Sequence, residues 1–158
     1  MPFGPIRGGA LLLFWLGVAR AQSNSFGGQH VGARAKELRD QLLAEHDGPE
    51  HKFNPEEHDT HSSYDHMPSL VLHPSGQMDV VSVTVVGTDE GQSNPYGTKA
   101  IWVEDEDGTV LYLHKGETKG GFAVPDHLLG SVLTGYNLDN SGLWHGPPLE
   151  VPPHKDEL

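Results

Sequence analysis

The sequence contains no cysteine among its 158 residues. This absence excludes disulfide bonds, so the fold must be held by a non-covalent core alone. It also excludes a thiol nucleophile, a thiol–disulfide exchange centre and any thiolate ligand for iron, copper or zinc. Oxidative folding catalysis is therefore outside the functions that this chain can perform.

Basic side chains are scarce as well. The chain has 10 Lys and Arg residues against 22 Asp and Glu residues, which gives a formal net charge of -12 at pH 7. Proteins that bind nucleic acid present clustered basic residues to the phosphates, and this sequence has no such cluster. The composition therefore argues against nucleic acid as a partner and is typical of a well-solvated acidic protein.

Long apolar runs are absent except near the beginning of the sequence. There, Arg7 precedes an apolar run over residues 10–19, which ends in the small-residue pattern of Ala19 and Ala21. The run is about ten residues long, whereas a helix needs roughly 20 apolar residues to span a bilayer. We interpret residues 1–21 as a cleavable secretory signal peptide and expect no membrane span in the mature chain.

The opposite end of the sequence predicts a location. Residues 151–158 form a proline-containing tail that ends in Lys155, Asp156, Glu157 and Leu158. These four residues match the signal that a retrieval receptor recognises in proteins of the endoplasmic reticulum. Together with the signal peptide, they predict the lumen of the endoplasmic reticulum as the location and the retrieval receptor as a partner.

The composition divides the first part of the mature chain into three segments. Residues 22–30 are rich in Ser, Gly, Asn and Gln, which predicts a flexible leader. Residues 31–46 predict a short amphipathic helix, because small and apolar side chains recur at spacings of three and four residues. Residues 47–64 are crowded with His, Asp and Glu and offer little to bury, which predicts an irregular, histidine-rich linker.

Residues 65–150 predict an all-β domain, because short β-branched segments alternate with turn residues. The segments 100–104 and 110–113 flank Asp105 to Gly108, a hairpin with glycine where a left-handed backbone is needed. Six or seven strands without crossover helices predict a small antiparallel, immunoglobulin-like β-sandwich. The candidate strands are 69–72, 80–86, 100–104, 110–113, 121–124, 131–136 and 141–144.

Four stretches of this β region resemble, in the same order, motifs of the ferrous-iron domain of superoxide reductase, also called neelaredoxin or the desulfoferrodoxin domain. They are Asp65-His66-Met67-Pro68, Asn94-Pro95-Tyr96, the tryptophan-bearing hairpin that begins at Ile101, and Gly142-Leu143-Trp144. The resemblance implies the β-sandwich of that family and an iron held by four imidazoles and one thiolate. Superoxide would be reduced at an open sixth position of that iron.

The sequence departs from this family at the iron ligands. Only His66 falls on a ligand position, whereas Asn94 and Ser141 stand where the family has histidines, and Leu138 or Asp139 stands where it has cysteine. With four of the five ligands missing, the resemblance predicts the fold with a degenerate iron centre. We therefore expect no full superoxide reductase activity and predict no catalytic residue.

The histidine-rich segment suggests other metals. His58 and His61 are three residues apart, so one helical turn would place both on one face, with His66 close behind in sequence. Imidazoles with nearby carboxylates suit zinc or copper(II), although histidines in an acidic linker are often only solvated surface. The alternatives to a degenerate superoxide reductase are thus a histidine-rich metal-binding protein and a non-enzymatic luminal module that binds a protein partner, with the helix of residues 31–46 as docking element.

Overall fold

The computed structural model describes residues 25–26, 28–56, 66–73, 81–87, 94 and 96–154. The predicted signal peptide, His58, His61 and residues 155–158, which are predicted to form the retrieval signal, lie outside the described residues. In chain order, the described elements are β1 (Ser25–Phe26), β2 (Gln29–His30), α1 (Gly32–Glu45), β3 (Glu50–Lys52), β4 (Ser69–His73), β5 (Ser82–Val86), β6 (Ala100–Glu104), β7 (Val110–Lys115), β8 (Lys119–Ala123), a 3-10 turn (Asp126–Leu128), β9 (Val132–Asp139), β10 (Gly142–His145) and β11 (Leu149–Glu150).

The strands form two sheets. The larger has the order β1-β2-β7-β6-β9-β10-β3, with β11 also paired to β9, and the smaller has the order β4-β5-β8. Among the described strands, β3 and β10 pair in parallel and the other pairings are antiparallel. Two β-sheets and one helix agree with the predicted all-β sandwich.

A hydrophobic core fills the space between the two sheets. It combines alternate residues of β5, such as Val83 and Val85, with Ile101 and Val103 of β6, all without exposed surface. Burial of each such side chain contributes about 1.5–3 kcal/mol. The buried members of this core are Val81, Val83, Val85, Ile101, Val103, Tyr112, Val124, Leu128, Leu133 and Val151.

A second core lies on the opposite face of the larger sheet, where α1 packs. Ala35 and Leu38 of α1 contact a sheet surface that includes Trp102 of β6 and Leu113 of β7. Strand β6 is therefore buried on both faces, which explains its continuous apolar sequence. Because the apolar face of α1 packs on the sheet, the helix cannot dock a partner through that face, and its role as docking element through its exposed face stays a prediction.

The predicted hairpin of β6 and β7 is confirmed. Gly108 has φ of +83°, the left-handed conformation that the turn requires. The Asp105 carboxylate accepts hydrogen bonds from the backbone N–H of Asp107 at 2.9 Å and of Thr109 at 3.0 Å. The loop is thus closed by the side chain of its own first residue. The bounds of α1 also agree with the predicted helix to within one residue at each end.

Two segments differ from the sequence-based expectation. The predicted flexible leader contains β1 and β2, and β2 pairs with β7 in the register of Gln29 with His114. The predicted linker contains β3, which pairs with β10, and residues 57–64 of that linker lie outside the described residues. Strands of two or three residues carry no detectable period, so their structure comes from the sheet edges against which they lie.

The only helix in the described part of the chain that is longer than one turn is α1, which has 14 residues. No described helix has the length and apolar character that crossing a membrane requires.

Candidate functional site

Polar and aromatic side chains meet where β9 ends. Asp139 is the last residue of β9, Ser141 lies in the turn to β10, and Trp144 lies within β10. His66 precedes β4 and reaches the same place from the smaller sheet, while His51 comes from β3. The site is therefore assembled from both sheets and from segments far apart in sequence.

Strand register explains why these side chains share one side of the larger sheet. Asn137 and Asp139 lie on the same face of β9, because side chains alternate along a strand. Trp144 is directly opposite Asn137, and His51 is directly opposite Trp144. Side chains at directly opposed positions point to the same face, so His51, Trp144 and Asp139 all project to the side on which His66 enters.

Asp139 is the centre of a set of residues that we call the carboxylate cluster: Asp139, His66, Ser141 and Trp144. Its side chain has 0% exposure, and Oδ2 lies 2.7 Å from Nδ1 of His66. Oδ1 accepts hydrogen bonds from the Ser141 backbone N–H and hydroxyl, both at 2.8 Å, and from the Trp144 indole N–H at 3.3 Å. A buried carboxylate is costly unless it is paired in this way, and here both oxygens are used.

The backbone of His66 is also fixed. The amide of Asn137, itself without exposed surface, donates to the His66 carbonyl oxygen at 2.8 Å and to the Gly87 carbonyl oxygen at 3.0 Å. The Thr98 hydroxyl donates to the same Asn137 side chain at 3.2 Å. His66 precedes β4 and Gly87 follows β5. Asn137 therefore attaches the beginning of β4 and the end of β5 to β9, and it fixes the backbone of His66.

Four aromatic rings touch one another in succession, and we call His51, Trp144, His66 and Tyr96 the ring cluster. The ring centroids of His51 and Trp144 are 3.9 Å apart, those of Trp144 and His66 4.9 Å, and those of His66 and Tyr96 4.0 Å. All four residues are partly exposed. The cluster thus presents aromatic surface to solvent next to a buried carboxylate.

Tyr96 is held by the loop before β6. Asn94 clasps that loop, because its amide accepts from the Thr98 N–H at 2.8 Å and donates to the Thr98 carbonyl oxygen at 3.0 Å. The carbonyl oxygen of Tyr96 accepts from the Asn140 N–H at 3.0 Å. Gly97, between Tyr96 and Thr98, has φ of +67°, a backbone conformation that strains residues with a side chain, and a Cβ there would also overlap the side-chain amide of Asn140. Both features favour glycine at this position.

The internal hydrogen bonds fix which ring nitrogens carry protons in the neutral histidines. Nδ1 of His66 faces the Asp139 carboxylate, which only accepts, so this nitrogen holds the hydrogen. Nε2 of His51 faces the carbonyl oxygen of Ser141 at 3.1 Å and donates for the same reason. Nε2 of His66 and Nδ1 of His51 are then left as lone-pair acceptors.

The residues at this site do not fit the iron centre of the resemblance. The Asn94 amide is engaged in its own loop, and Leu138 lies in the core on the helix side of the sheet. Asp139 is satisfied by its neighbours, and Ser141 offers a hydroxyl that already donates to it. Among the residues at the five aligned positions, only His66 offers a free ring nitrogen. In the described part of the chain, no group of three or more His, Asp or Glu residues is placed to hold a metal ion.

The arrangement of Ser141, His66 and Asp139 is not that of a catalytic triad with a serine nucleophile either. Ser141, His66 and Asp139 are within hydrogen-bonding distance, but the Ser141 hydroxyl lies 3.1 Å from Nδ1, the same nitrogen that bonds to Asp139. A catalytic triad needs the hydroxyl on one ring nitrogen and the carboxylate on the other, so that the imidazole can take the proton. Here the hydroxyl donates to Asp139 instead, which makes it a structural group.

The sequence predicts His66 as a metal ligand, and this role stays a prediction. Asp139 and Ser141, at positions that the resemblance aligns with two other ligands, lie within hydrogen-bonding distance of His66. They meet it as hydrogen-bond partners, not as a ligand set. His58 and His61 lie outside the described residues, so their predicted role stays a prediction.

The sequence does not predict the ring cluster. The composition around His51 predicts an irregular linker, whereas its stacking on Trp144 depends on the parallel pairing of β3 with β10. Tyr96 and Trp144 are marked only as members of motifs of the resemblance. The one available signal was the dense histidine content around residue 51, which marks the segment but not its partner.

No family model, curated protein or solved structure matches this chain.

Proposed function

We propose that this protein is a non-enzymatic binding module of the endoplasmic reticulum lumen, built on a superoxide-reductase-like β-sandwich in which the carboxylate cluster has replaced the iron centre. One observation carries the proposal: both oxygens of Asp139, at a position aligned with a ligand, are used by His66, Ser141 and Trp144. Residues that satisfy one another have little left to offer a metal.

Binding, not chemistry, is what the rest of the site supports. The four residues of the ring cluster are partly exposed, and exposed polar residues lie beside it: Asn94, Asn140 and Ser141. Aromatic anchors with a polar rim are typical of protein recognition surfaces. The carboxylate cluster contains no activated nucleophile, because the Ser141 hydroxyl donates to the Asp139 carboxylate.

Iron loading and superoxide reduction test this proposal together. The mature chain, residues 22–158 without a histidine tag, is incubated anaerobically with iron(II), desalted and analysed for metal, with a superoxide reductase treated identically. The expected result is no stoichiometric iron and a decay of superoxide no faster than in buffer. Stoichiometric iron together with rapid superoxide reduction would overturn the proposal and restore an enzyme.

The luminal location is a separate part of the proposal and rests on the sequence of the signal peptide and of residues 155–158. A tagged chain is expected to remain in the endoplasmic reticulum, with the retrieval receptor as partner, and to be secreted when the last four residues are deleted. Equal retention of both chains would remove the support for retrieval.

Zinc or copper(II) binding is the second candidate, and one feature favours it. The bond from Nδ1 of His66 to Asp139 leaves Nε2 free, which is the arrangement found in histidines that bind metals. His58 and His61 would supply further imidazoles. If so, His66→Gln and the double variant His58→Ala, His61→Ala should each weaken zinc or copper binding by about tenfold or more, whereas His145→Ala should not. Unchanged metal affinity in both variants would reject this candidate.

A further inference from the structure

The sequence contains two Asp–Gly dipeptides, Asp47–Gly48 between α1 and β3 and Asp107–Gly108 in the turn between β6 and β7. This dipeptide can rearrange without an enzyme, because glycine has no side chain to hinder the attack of its nitrogen on the preceding carboxyl group. The attack requires a nitrogen that is not held in a hydrogen bond and a backbone that can move. The two dipeptides have the same residues, so the structure around each of them decides which one reacts.

The β6–β7 turn restrains the second dipeptide. The Gly108 N–H donates to the Asp105 carbonyl oxygen at 3.1 Å, and the Asp107 N–H donates to the Asp105 carboxylate at 2.9 Å. The Asp105 N–H in turn donates to the Thr109 carbonyl oxygen at 3.0 Å, which closes the turn. The Gly108 nitrogen is therefore available for attack only when the turn opens.

The connection between α1 and β3 leaves the first dipeptide unrestrained. Its ends are attached, because the His46 N–H donates to the last turn of α1 at 3.2 Å and the Pro49 carbonyl oxygen accepts from the Leu143 N–H at 3.0 Å. Between these ends, Asp47 and Gly48 are exposed. Within the described structure, neither the Gly48 N–H nor the Asp47 carboxylate has a hydrogen-bond or ion-pair partner. Nothing there holds the nitrogen away from the carboxyl group.

We propose that Asp47 is a site of spontaneous isomerisation to isoaspartate. The Gly48 nitrogen attacks Cγ of the protonated Asp47 carboxyl group, and the carboxyl hydroxyl leaves with the amide hydrogen as water, which closes a succinimide ring. Water then adds to either ring carbonyl. Opening at Cγ restores aspartate, whereas opening at the backbone carbonyl leaves the chain linked through Cγ. The net change is an isomerisation that consumes no other reactant, and it does not depend on the proposed binding function.

The product adds one methylene to the backbone just ahead of β3. The Pro49 carbonyl oxygen bonds to the Leu143 N–H, and the register of β3 with β10 places His51 opposite Trp144. The junction is closely packed, because a Cβ at Gly142 would overlap the Pro49 carbonyl oxygen. A longer backbone before Pro49 should therefore displace β3 and separate the rings of His51 and Trp144, whose centroids are 3.9 Å apart.

Peptide mapping of the full mature chain tests the proposal. Samples are incubated at neutral pH and physiological temperature, with and without urea, and electron-transfer fragmentation distinguishes aspartate from isoaspartate in each peptide. In the folded chain, isoaspartate should form at Asp47 at least about tenfold faster than at Asp107, because the Gly108 nitrogen must first be released. In urea the two rates should agree to within about threefold, since the folded structure no longer separates them.

Asp47→Glu is the matched control variant. It retains the charge, but the longer side chain would have to close a larger ring, which forms far more slowly. During incubation the NMR signal of the Trp144 indole N–H should change in the wild-type chain in proportion to its isoaspartate content and should stay constant in Asp47→Glu.

Two results for the folded chain would overturn the proposal. One is equal rates of isomerisation at Asp47 and Asp107, and the other is no isoaspartate at Asp47 over a period in which the chain in urea forms it. A Trp144 signal that stays constant while isoaspartate accumulates at Asp47 would overturn the displacement of β3.

Discussion

The described residues include two tryptophan–carboxylate pairs that have different roles in the structure. Trp102 donates its indole N–H to Glu104 at 2.8 Å, and Arg39 of α1 lies 3.1 Å from the same oxygen. Trp144 donates to Asp139 at 3.3 Å, and His66 is the basic partner there. Each pair joins a strand of the larger sheet to a different layer of the protein.

The difference lies in the exposure of the ring and in the partner. Trp102 has 0% exposure and its carboxylate is matched by arginine, which stays charged at any physiological pH, so this pair is suited to holding α1 on the sheet. Trp144 is partly exposed, and its carboxylate is matched by a histidine with one nitrogen free. The comparison suggests that the first pair stabilises the fold and that the second serves recognition.

The largest expected effect follows from truncating the buried ring. Trp102→Ala should lower the free energy of unfolding by about 3–5 kcal/mol, because it opens a cavity between α1 and the sheet. Trp144→Ala should cost clearly less, because the ring already contacts solvent. Urea unfolding followed by circular dichroism measures both, and equal losses would contradict the division between the two pairs.

Removing the carboxylate of the second pair should have the next largest effect. Asp139→Ala is expected to cost about 3 kcal/mol, since the donors of His66, Ser141 and Trp144 lose their acceptor in a buried place. Asp139→Asn retains an acceptor oxygen and should cost less. If Asp139→Ala unfolds at the same urea concentration as the wild-type chain, the carboxylate cluster does not organise this end of the sandwich.

The ion pair of Arg39 with Glu104, the carboxylate partner of Trp102, should contribute less to stability than the Asp139 carboxylate does. Arg39 and Glu104 are 14% and 13% exposed, and Arg39→Met, which keeps the aliphatic stem, should lower stability by about 1–2 kcal/mol. The exposed pair of Lys36 and Asp40 on the same helix is the control, and Lys36→Met should cause no measurable change. A larger loss for Lys36→Met than for Arg39→Met would show that burial does not set the strength of these pairs.

The smallest expected effect is a weaker docking of β1 and β2 on β7 at lower pH. Burial, together with Arg34, Lys115 and His114, lowers the pKa of the His30 imidazole below 6.5, and its Nδ1 is inaccessible and without a hydrogen-bond partner in the described structure. The docked form of β1 and β2 therefore binds a proton less well than the undocked form. Docking should weaken as the pH falls from 6.5 toward the lowered pKa.

Hydrogen exchange measures that weakening. The backbone N–H of Lys115, which donates to the Gly28 carbonyl oxygen at 2.9 Å, should lose protection below pH 6.5 after correction for intrinsic exchange rates. His30→Gln should make its protection independent of pH, whereas His127→Gln, an exposed histidine near the 3-10 turn, should not. A pH dependence that survives in His30→Gln would assign it to another group.

Sequence alone predicted the elements with strong periodicity. The helix and the seven candidate strands, which correspond to β4 to β10, are present in the structure. Apolar periodicity predicts the helix, and β-branched runs with turn residues predict the strands. The pairing of β3 with β10 was not predictable, since Glu50–Lys52 is stabilised by its neighbour and not by its own sequence. Consequently the position of His51 in the ring cluster depends on tertiary structure.

The site was predictable only through His66. Its resemblance to a ligand motif marks the position, but its partner Asp139 is 73 residues away, and the hydrogen bond depends on how Asn137 holds the segment before β4 against β9. The sequence shows that four of the five ligand positions of the resemblance hold other residues. The hydrogen bonds of Asp139 with His66, Ser141 and Trp144 become visible only in the structure.

The protonation of the His66 ring tests the central claim most directly, because it reports both the bond to Asp139 and the freedom of Nε2. Long-range proton–nitrogen NMR at a pH where the ring is neutral should show the hydrogen on Nδ1 and a bare Nε2, unchanged by an equivalent of iron(II) under anaerobic conditions. A hydrogen on Nε2 would contradict the proposed bond between Nδ1 of His66 and Asp139. Loss of the His66 signal at one iron per chain would show that His66 binds iron.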